Sequence, residues 1–414
     1  MAIQFYRQNA WWLGTGLVFT FGSSFGQTYF ISFFAGGIRE EFGLSNGEWG
    51  GLYTIATFAS AALLMHLGRL ADTVNLAKLA AAILLVYAAA ALIMASSVHV
   101  LMLLVGVFGL RFCGQGMMTH LGMTAMARWF RANRARAMAI AALGFPFGEA
   151  MFPLVAVGVI DAVGWRTGWV LVACLIAAVL LPLCYFLTRH GRSPQGEGGA
   201  DTATGMEGRH WTRREVLRHF SFWLVLPGMI APPFIGTCVV FHQVHISEVR
   251  GYDLSTMALA FPFYAAISVT TALISGPLVD RIGSTRLLPV FLLPITAAML
   301  VLAIPGGIWV WFATLMCAGL GQGLMVTIIG SLWPTLYGTR WIGSIKSLST
   351  ATLVVATALG PGITGFIIDW GYTFPQQAPF LAAYCVAASL IFLITAPRLT
   401  RAIAAAPASA AAPA

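Results

Sequence analysis

Arg111 stands near the middle of an otherwise apolar stretch, Leu101 to Ala125, and Glu149 is the only acid set deep in a comparable stretch. An ionised side chain at bilayer depth costs roughly 2.5 to 3.5 kcal/mol, so such a residue either serves a function or needs a partner. Their spacing relates them. A basic loop lies near Phe130, with Arg111 19 residues before it and Glu149 19 residues after it. Two antiparallel helices counted from a shared loop reach equal depth at equal count, so the two charges are placed to meet. Two readings follow. In one, a static ion pair locks the two helices together. In the other the pair is exchangeable, and protonation of Glu149 frees Arg111 for the carboxylate of a substrate.

Other polar residues gather around this pair by helical register. Thr20, Ser23, Ser24, Gln27 and Thr28 each lie three or four residues from another member of the set and share one face of the first apolar run. Such a face suits an aqueous path, or alternatively hydroxyl contacts to neighbouring helices. Tyr29 points away from the centre of that face in a regular helix and reaches it only if Gly26 lets the helix bend. Arg111, Gln115 and Gly122 share a face further on. His242 and His245 fall near the end of the seventh apolar run, where imidazoles sense pH or serve as satisfied interfacial side chains. His66 and His120 have no companion ligands at metal spacing, so no metal and no cofactor are expected.

The elements that carry these residues are membrane helices. Of 414 residues, 59% are hydrophobic and only 9% are charged, and the mean hydropathy is +0.83. Apolar runs of the length that crosses a bilayer recur at about 11–36, 48–67, 77–97, 100–125, 137–160, 168–188, 220–245, 255–277, 286–305, 307–332, 342–368 and 377–396. These are spans 1 to 12. If the N-terminus is cytoplasmic, nineteen of the 23 Lys and Arg residues fall in cytoplasmic segments, only Arg39, Arg166 and Arg250 on the other side, and Arg111 within the membrane. The positive-inside bias therefore predicts a multi-pass protein with both termini cytoplasmic, in a bacterial inner membrane. The net charge of +9 then reports topology and contact with anionic headgroups, and nucleic acid needs no part in it. All six cysteines lie in the spans and read as free thiols. There is no phosphate-cradling loop and no nucleophile with a base in reach, so an enzyme or an ATP-driven pump is not expected.

The spans divide into two halves. Residues 189–219, rich in Gly, Arg and Glu, form a cytoplasmic linker between six-span halves at 1–188 and 220–397, and 398–414 reads as a disordered tail. Gly68, Leu70 and Asp72 match Gly276, Leu278 and Asp280 at an offset of 208; Pro153 and Asp161 match Pro361 and Asp369 at the same offset. Gly114, Gln115 and Gly116 match Gly321, Gln322 and Gly323 at 207. Parallel repeats of this kind place a site at the midplane between halves. Prolines 227, 232, 233 and 262, with Pro361, are expected to bend their helices.

The loops GRLADTVN and GPLVDRIG, together with RFCGQG in span 4, resemble the signatures of the major facilitator superfamily. The run ARWFRANRARAMAIAALGFPFG with FGLSNGEWG is similar to the bacterial monocarboxylate and oxalate/formate porters. Thr73, Asn75 and Leu76 depart from the loop signature, and span 1 lacks the acid that marks animal monocarboxylate carriers. The resemblance implies a twelve-helix fold of two pseudo-symmetric halves, with spans 1, 4, 7 and 10 lining a cavity. It implies gating at Gly68, Asp72, Gly276, Asp280 and Arg281. In the porters it resembles, a lysine in span 11 meets dicarboxylate; here Lys346 lies close to Arg340 and reads as a positive-inside anchor. The chain is thus expected to be a monomeric secondary transporter of a small organic anion, a monocarboxylate, by alternating access with proton symport. Arg111, Gln115, Gln27, Tyr29, Ser24, Thr20, Gln322 and His245 are its expected binding residues, and Glu149 its coupling residue. An efflux porter for amphipathic compounds and a non-transporting nutrient receptor are the alternatives.

Overall fold

The computed structural model describes residues 2–130, 133–189 and 204–404. Arg131, residues 190–203 of the linker with Arg192 among them, residues 405–414 of the tail and the side chain of Asp72 lie outside the described residues. The described chain is helical, with no strand among the described residues. Nine helices among them are long and apolar enough to cross a membrane. One of these, Arg134–Thr188, runs 55 residues and holds spans 5 and 6, parted at Gly164, whose φ of 77° is open to glycine alone at little cost. Span 1 is a helix, Ala2–Gly22, followed by short helical turns, and span 9 contributes the apolar helix Leu293–Ala303. Together these account for the twelve expected spans.

Local sequence explains where the helices begin. Ser45 caps Asn46–Leu67 through a capping box, its hydroxyl accepting from the Glu48 amide while the Glu48 carboxylate accepts from the Ser45 amide. Asn75 caps Leu76–Ala95 by accepting from Ala77 and Lys78. At the far end of that helix Arg166 donates to Ala95 O at 2.7 Å and Ser97 O at 2.6 Å, and pairs with Glu41. The bends expected of the prolines do not interrupt the helices. Phe220–Phe241 stays helical through Pro227, Pro232 and Pro233, and Ile342–Asp369 through Pro361, as spanning helices tolerate when neighbours satisfy the freed carbonyls.

The chain forms two compact units. The first comprises residues 1–199, 239–262 and 361–372. Within it the repeated acids Asp161 and Asp369 each meet the start of another helix. Asp369, ending its helix, accepts from Ser45 Oγ at 2.7 Å, Asn46 N at 3.1 Å and Gly47 N at 2.9 Å, holding the N-terminus of Asn46–Leu67. Asp161 accepts from Ser255 Oγ at 3.3 Å, beside the start of Leu254–Ala258. Spans 2 and 11 approach closely here, because a side chain at Gly50 would strike Pro361 O and one at Gly362 would strike Thr54 Oγ1.

The second unit comprises residues 200–238, 263–360 and 373–414. In it a side chain at Gly323 would meet Ser268 O at 2.5 Å, and one at Gly319 would meet Tyr264 O at 2.8 Å, so span 10 packs directly on the backbone of span 8. The segment before span 7 docks on the end of Trp309–Tyr337, with Trp211 N donating to Tyr337 O at 3.1 Å.

Candidate anion site

Span 1 loses its helical path where the polar residues cluster. The helix Ala2–Gly22 gives way to a tight turn over Ser23–Gly26, Gln27 is extended at φ −85°, ψ 154°, and helical structure resumes at Thr28–Ile31. Glycines on the neighbouring spans permit this. A side chain at Gly114 would meet Gly26 Cα at 2.7 Å and clash with the Tyr87 hydroxyl; one at Gly144 would clash with Thr20 Oγ1; one at Gly148 would clash with Ser24 Oγ and meet the Tyr29 hydroxyl at 2.7 Å. Spans 4 and 5 therefore grip the break from their glycine faces. An aromatic cluster holds its far side, Phe30 and Phe34 packing on Trp169 at 5.7 Å and 4.6 Å between centroids. Span 4 is distorted at the same level, since Arg111–Met118 is π-helical, a wider winding that recurs at functional sites.

Arg111 occupies this level with 1% of its surface exposed. Its Nη1 donates to Gly26 O at 3.1 Å, a carbonyl turned outward by the break, and to Thr28 Oγ1 at 3.4 Å. Its Cζ lies 5.0 Å from the centroid of the Tyr53 ring. The Tyr53 hydroxyl and Thr28 Oγ1 are 2.6 Å apart. Nε and Nη2, which form the opposite edge of the guanidinium, are buried and have no hydrogen-bond partner. A fixed cation with one empty two-donor edge matches a carboxylate or another oxyanion that presents two oxygens.

The expected ion pair is absent: no ion pair joins Arg111 to Glu149 among the described residues. The equal depth is nonetheless there. Arg111 meets span 1 at Gly26 and Thr28, and Gly148, next to Glu149, meets it at Ser24 and Tyr29. Glu149 is half-buried near Tyr29. The pair fails because the break in span 1 supplies a backbone carbonyl to the guanidinium, a contact that a regular helix would not offer.

The remaining expected residues sort by their partners. Thr20 Oγ1 donates to Ala141 O of span 5 at 2.5 Å, a contact between helices. Ser23 and Ser24 donate back to Thr20 O and Phe21 O of their own helix, and Gln27 Nε2 donates to Ser23 Oγ. The Tyr29 hydroxyl is buried beside Ser24 and Gly148 without a hydrogen bond of ordinary geometry. Gln115 is half-buried in the π-helical segment. His245 lies among Arg39, Asp369 and His242, and His242 bonds Thr364 Oγ1 at 2.8 Å, so both belong to the Asp369 end of the first unit. Gln322 is half-buried in the second unit. Of the gating residues, Gly68 O accepts from His120 Nε2 at 3.0 Å, while Asp280 and Arg281 are exposed. Sequence reasoning missed Tyr53, Tyr87 and the Gly26 carbonyl. Tyr53 follows Ser45 by two helical turns in an apolar run and carries no local signal; Gly26 was legible only as a place where span 1 could bend, and Gly114 only as part of the repeated Gly-Gln-Gly.

The described chain superposes on a bacterial homologue of the human lysosomal transporter Spinster. Against its inward-facing, occupied structure the TM-score is 0.67 at 18% identity, covering 96% of each chain. The unoccupied inward-facing structure gives 0.65 at 16% identity, over 96% of this chain and 95% of that one. At such identities the likeness is one of fold. In sequence, the chain is 25% identical to a probable sulfoacetate transporter of Cupriavidus necator over 60% of this chain and 61% of that protein. The matched stretch thus spans about three-fifths of that relative's length. It is 24% identical to an uncharacterised MFS-type transporter of Bacillus subtilis over 66% of this chain and 67% of that one. The profile of the Major Facilitator Superfamily matches residues 16–353, and this match, carried by the same helices that hold Arg111, makes the chain a member of that superfamily.

Proposed function

We propose that the protein moves a small organic anion across a bacterial inner membrane by alternating access, with proton symport. The observation that carries this reading is the empty Nε and Nη2 edge of Arg111, buried at the level where spans 1 and 4 are both distorted. A carboxylate fills that edge with two parallel hydrogen bonds, and so does a sulfonate, the group named for the Cupriavidus relative. A monocarboxylate is the favoured substrate. Glu149, half-buried across the same stretch of span 1, is the proton site: neutral when the anion is held, so that the site's charge is balanced by the anion itself. The two six-span halves, the cytoplasmic termini and a monomeric state belong to the same reading, and Gly68, Asp72, Gly276, Asp280 and Arg281 act as gate residues.

Purified protein reconstituted in liposomes tests it. A proton gradient should drive accumulation of labelled pyruvate or sulfoacetate, and Arg111→Gln should abolish it while the protein remains monodisperse. Accumulation unaffected by Arg111→Gln would remove the basis of the proposal.

A further inference from the structure

We propose that Tyr53 is the positioning residue of the anion site, holding the guanidinium of Arg111 by its ring and by Thr28 so that the Nε and Nη2 edge is presented to the ligand. This rests on the reading of Arg111 as the anion receptor. Arg111 has two attachments besides Gly26 O, and both lead to Tyr53. The guanidinium carbon stands 5.0 Å from its ring centroid, and Thr28 Oγ1, which accepts from Nη1 at 3.4 Å, is 2.6 Å from its hydroxyl. Without them, rotation about the side chain's own torsions would turn the empty edge away, since a single hydrogen bond to Gly26 O leaves a long side chain free to pivot. Tyr53 is itself closely packed. It is fully buried, its ring packs on Phe241 at 4.8 Å, and one turn earlier Trp49 stacks on the same Phe241 at 6.3 Å and 18°. The helix bearing both begins at the residues that Asp369 grips. Orientation of the anion-binding edge is therefore built into span 2, an element that sequence reasoning assigned no part in binding.

Two arms test this. In the first, phenylglyoxal adducts at Arg111 are followed by peptide mass spectrometry, which needs no substrate. Tyr53→Leu should speed modification several-fold, whereas Tyr53→Phe, which keeps the ring, should stay near the wild-type rate. Modification of Tyr53→Leu at the wild-type rate would overturn the proposal. In the second, pyruvate and sulfoacetate uptake is measured in liposomes. Loss of a desolvated cation–π contact should raise KM by about 30-fold in Tyr53→Leu, with the maximal rate little changed. Tyr53→Phe should raise it only by about threefold. If Tyr53→Leu is not monodisperse, Thr28→Val removes the hydroxyl link without touching span 2 and should also raise KM by about threefold; an unchanged KM would count against the role. An effect of Arg111→Lys with none from Tyr53 or Thr28 refutes the positioning alone, whereas no effect from Arg111→Lys refutes the anion reading beneath it.

Discussion

Arg111→Lys separates charge from geometry at the proposed site. The ammonium keeps the charge that attracts an anion but offers no second donor parallel to the first, so a bidentate contact becomes a single one. A hydrogen bond to a charged group contributes about 1.5 to 3 kcal/mol, which sets the expected loss at about 10- to 150-fold in affinity. The structure adds a second consequence. Lysine cannot reproduce the Nη1 bond to Gly26 O at 3.1 Å and the contact with Thr28 at 3.4 Å while also facing a ligand. A buried carbonyl left without a donor costs about 1 to 3 kcal/mol, so Arg111→Lys should also melt several degrees lower. Uptake kinetics in liposomes read the first effect, and thermal unfolding of the same preparation reads the second. Glu149→Gln, in contrast, should leave anion binding in place and remove its pH dependence and proton-driven accumulation. Because no ion pair joins Arg111 to Glu149 among the described residues, neutralising both should not restore transport, as it would if they formed a buried clamp. A KM for Arg111→Lys within about twofold of wild type, or a double neutral variant that still accumulates substrate, would refute the reasoning.

Gly114→Ala should destabilise the protein by about 1 to 3 kcal/mol, because the new methyl meets Gly26 Cα at 2.7 Å and clashes with the Tyr87 hydroxyl; unchanged unfolding would show that the break in span 1 yields. Asp369→Ala removes three acceptor contacts from the start of Asn46–Leu67 and should lower stability by about 1 kcal/mol, read by thermal unfolding. Hydrogen bonds from Arg166 hold the Glu41 carboxyl below its usual value of 4.5. The stability this contributes is complete above that value and lost as pH falls through the depressed one, so Glu41→Gln should flatten the acid limb of a melting-temperature profile; an unaltered limb would show that other carboxylates set it. Finally, a cysteine replacing Gly199 should react with a membrane-impermeant thiol reagent only after the cytoplasmic side is opened, and labelling of intact cells would reverse the orientation.

The membrane class, the twelve spans and the internal repeat were legible in the chain because apolar length, turn residues and periodic identities are properties of a line of residues, independent of what packs on what. The level shared by Arg111 and Glu149 was legible for a related reason: helical rise is constant, so equal counts from one loop give equal depth. The polar face of span 1 was legible too, but its meaning was not. Thr20 spends its hydroxyl on Ala141 O, and Ser23 and Ser24 return theirs to their own helix, since the glycines of span 5 bring another backbone within reach at a position no residue of span 1 reports. Only the tertiary structure decided that span 1 opens after Gly26, that the freed carbonyl rather than Glu149 meets Arg111, and that Tyr53 lies beneath it. A guanidinium presents two edges, and which one stays empty depends on acceptors brought from other helices, so the site's chemistry was set where separate spans meet.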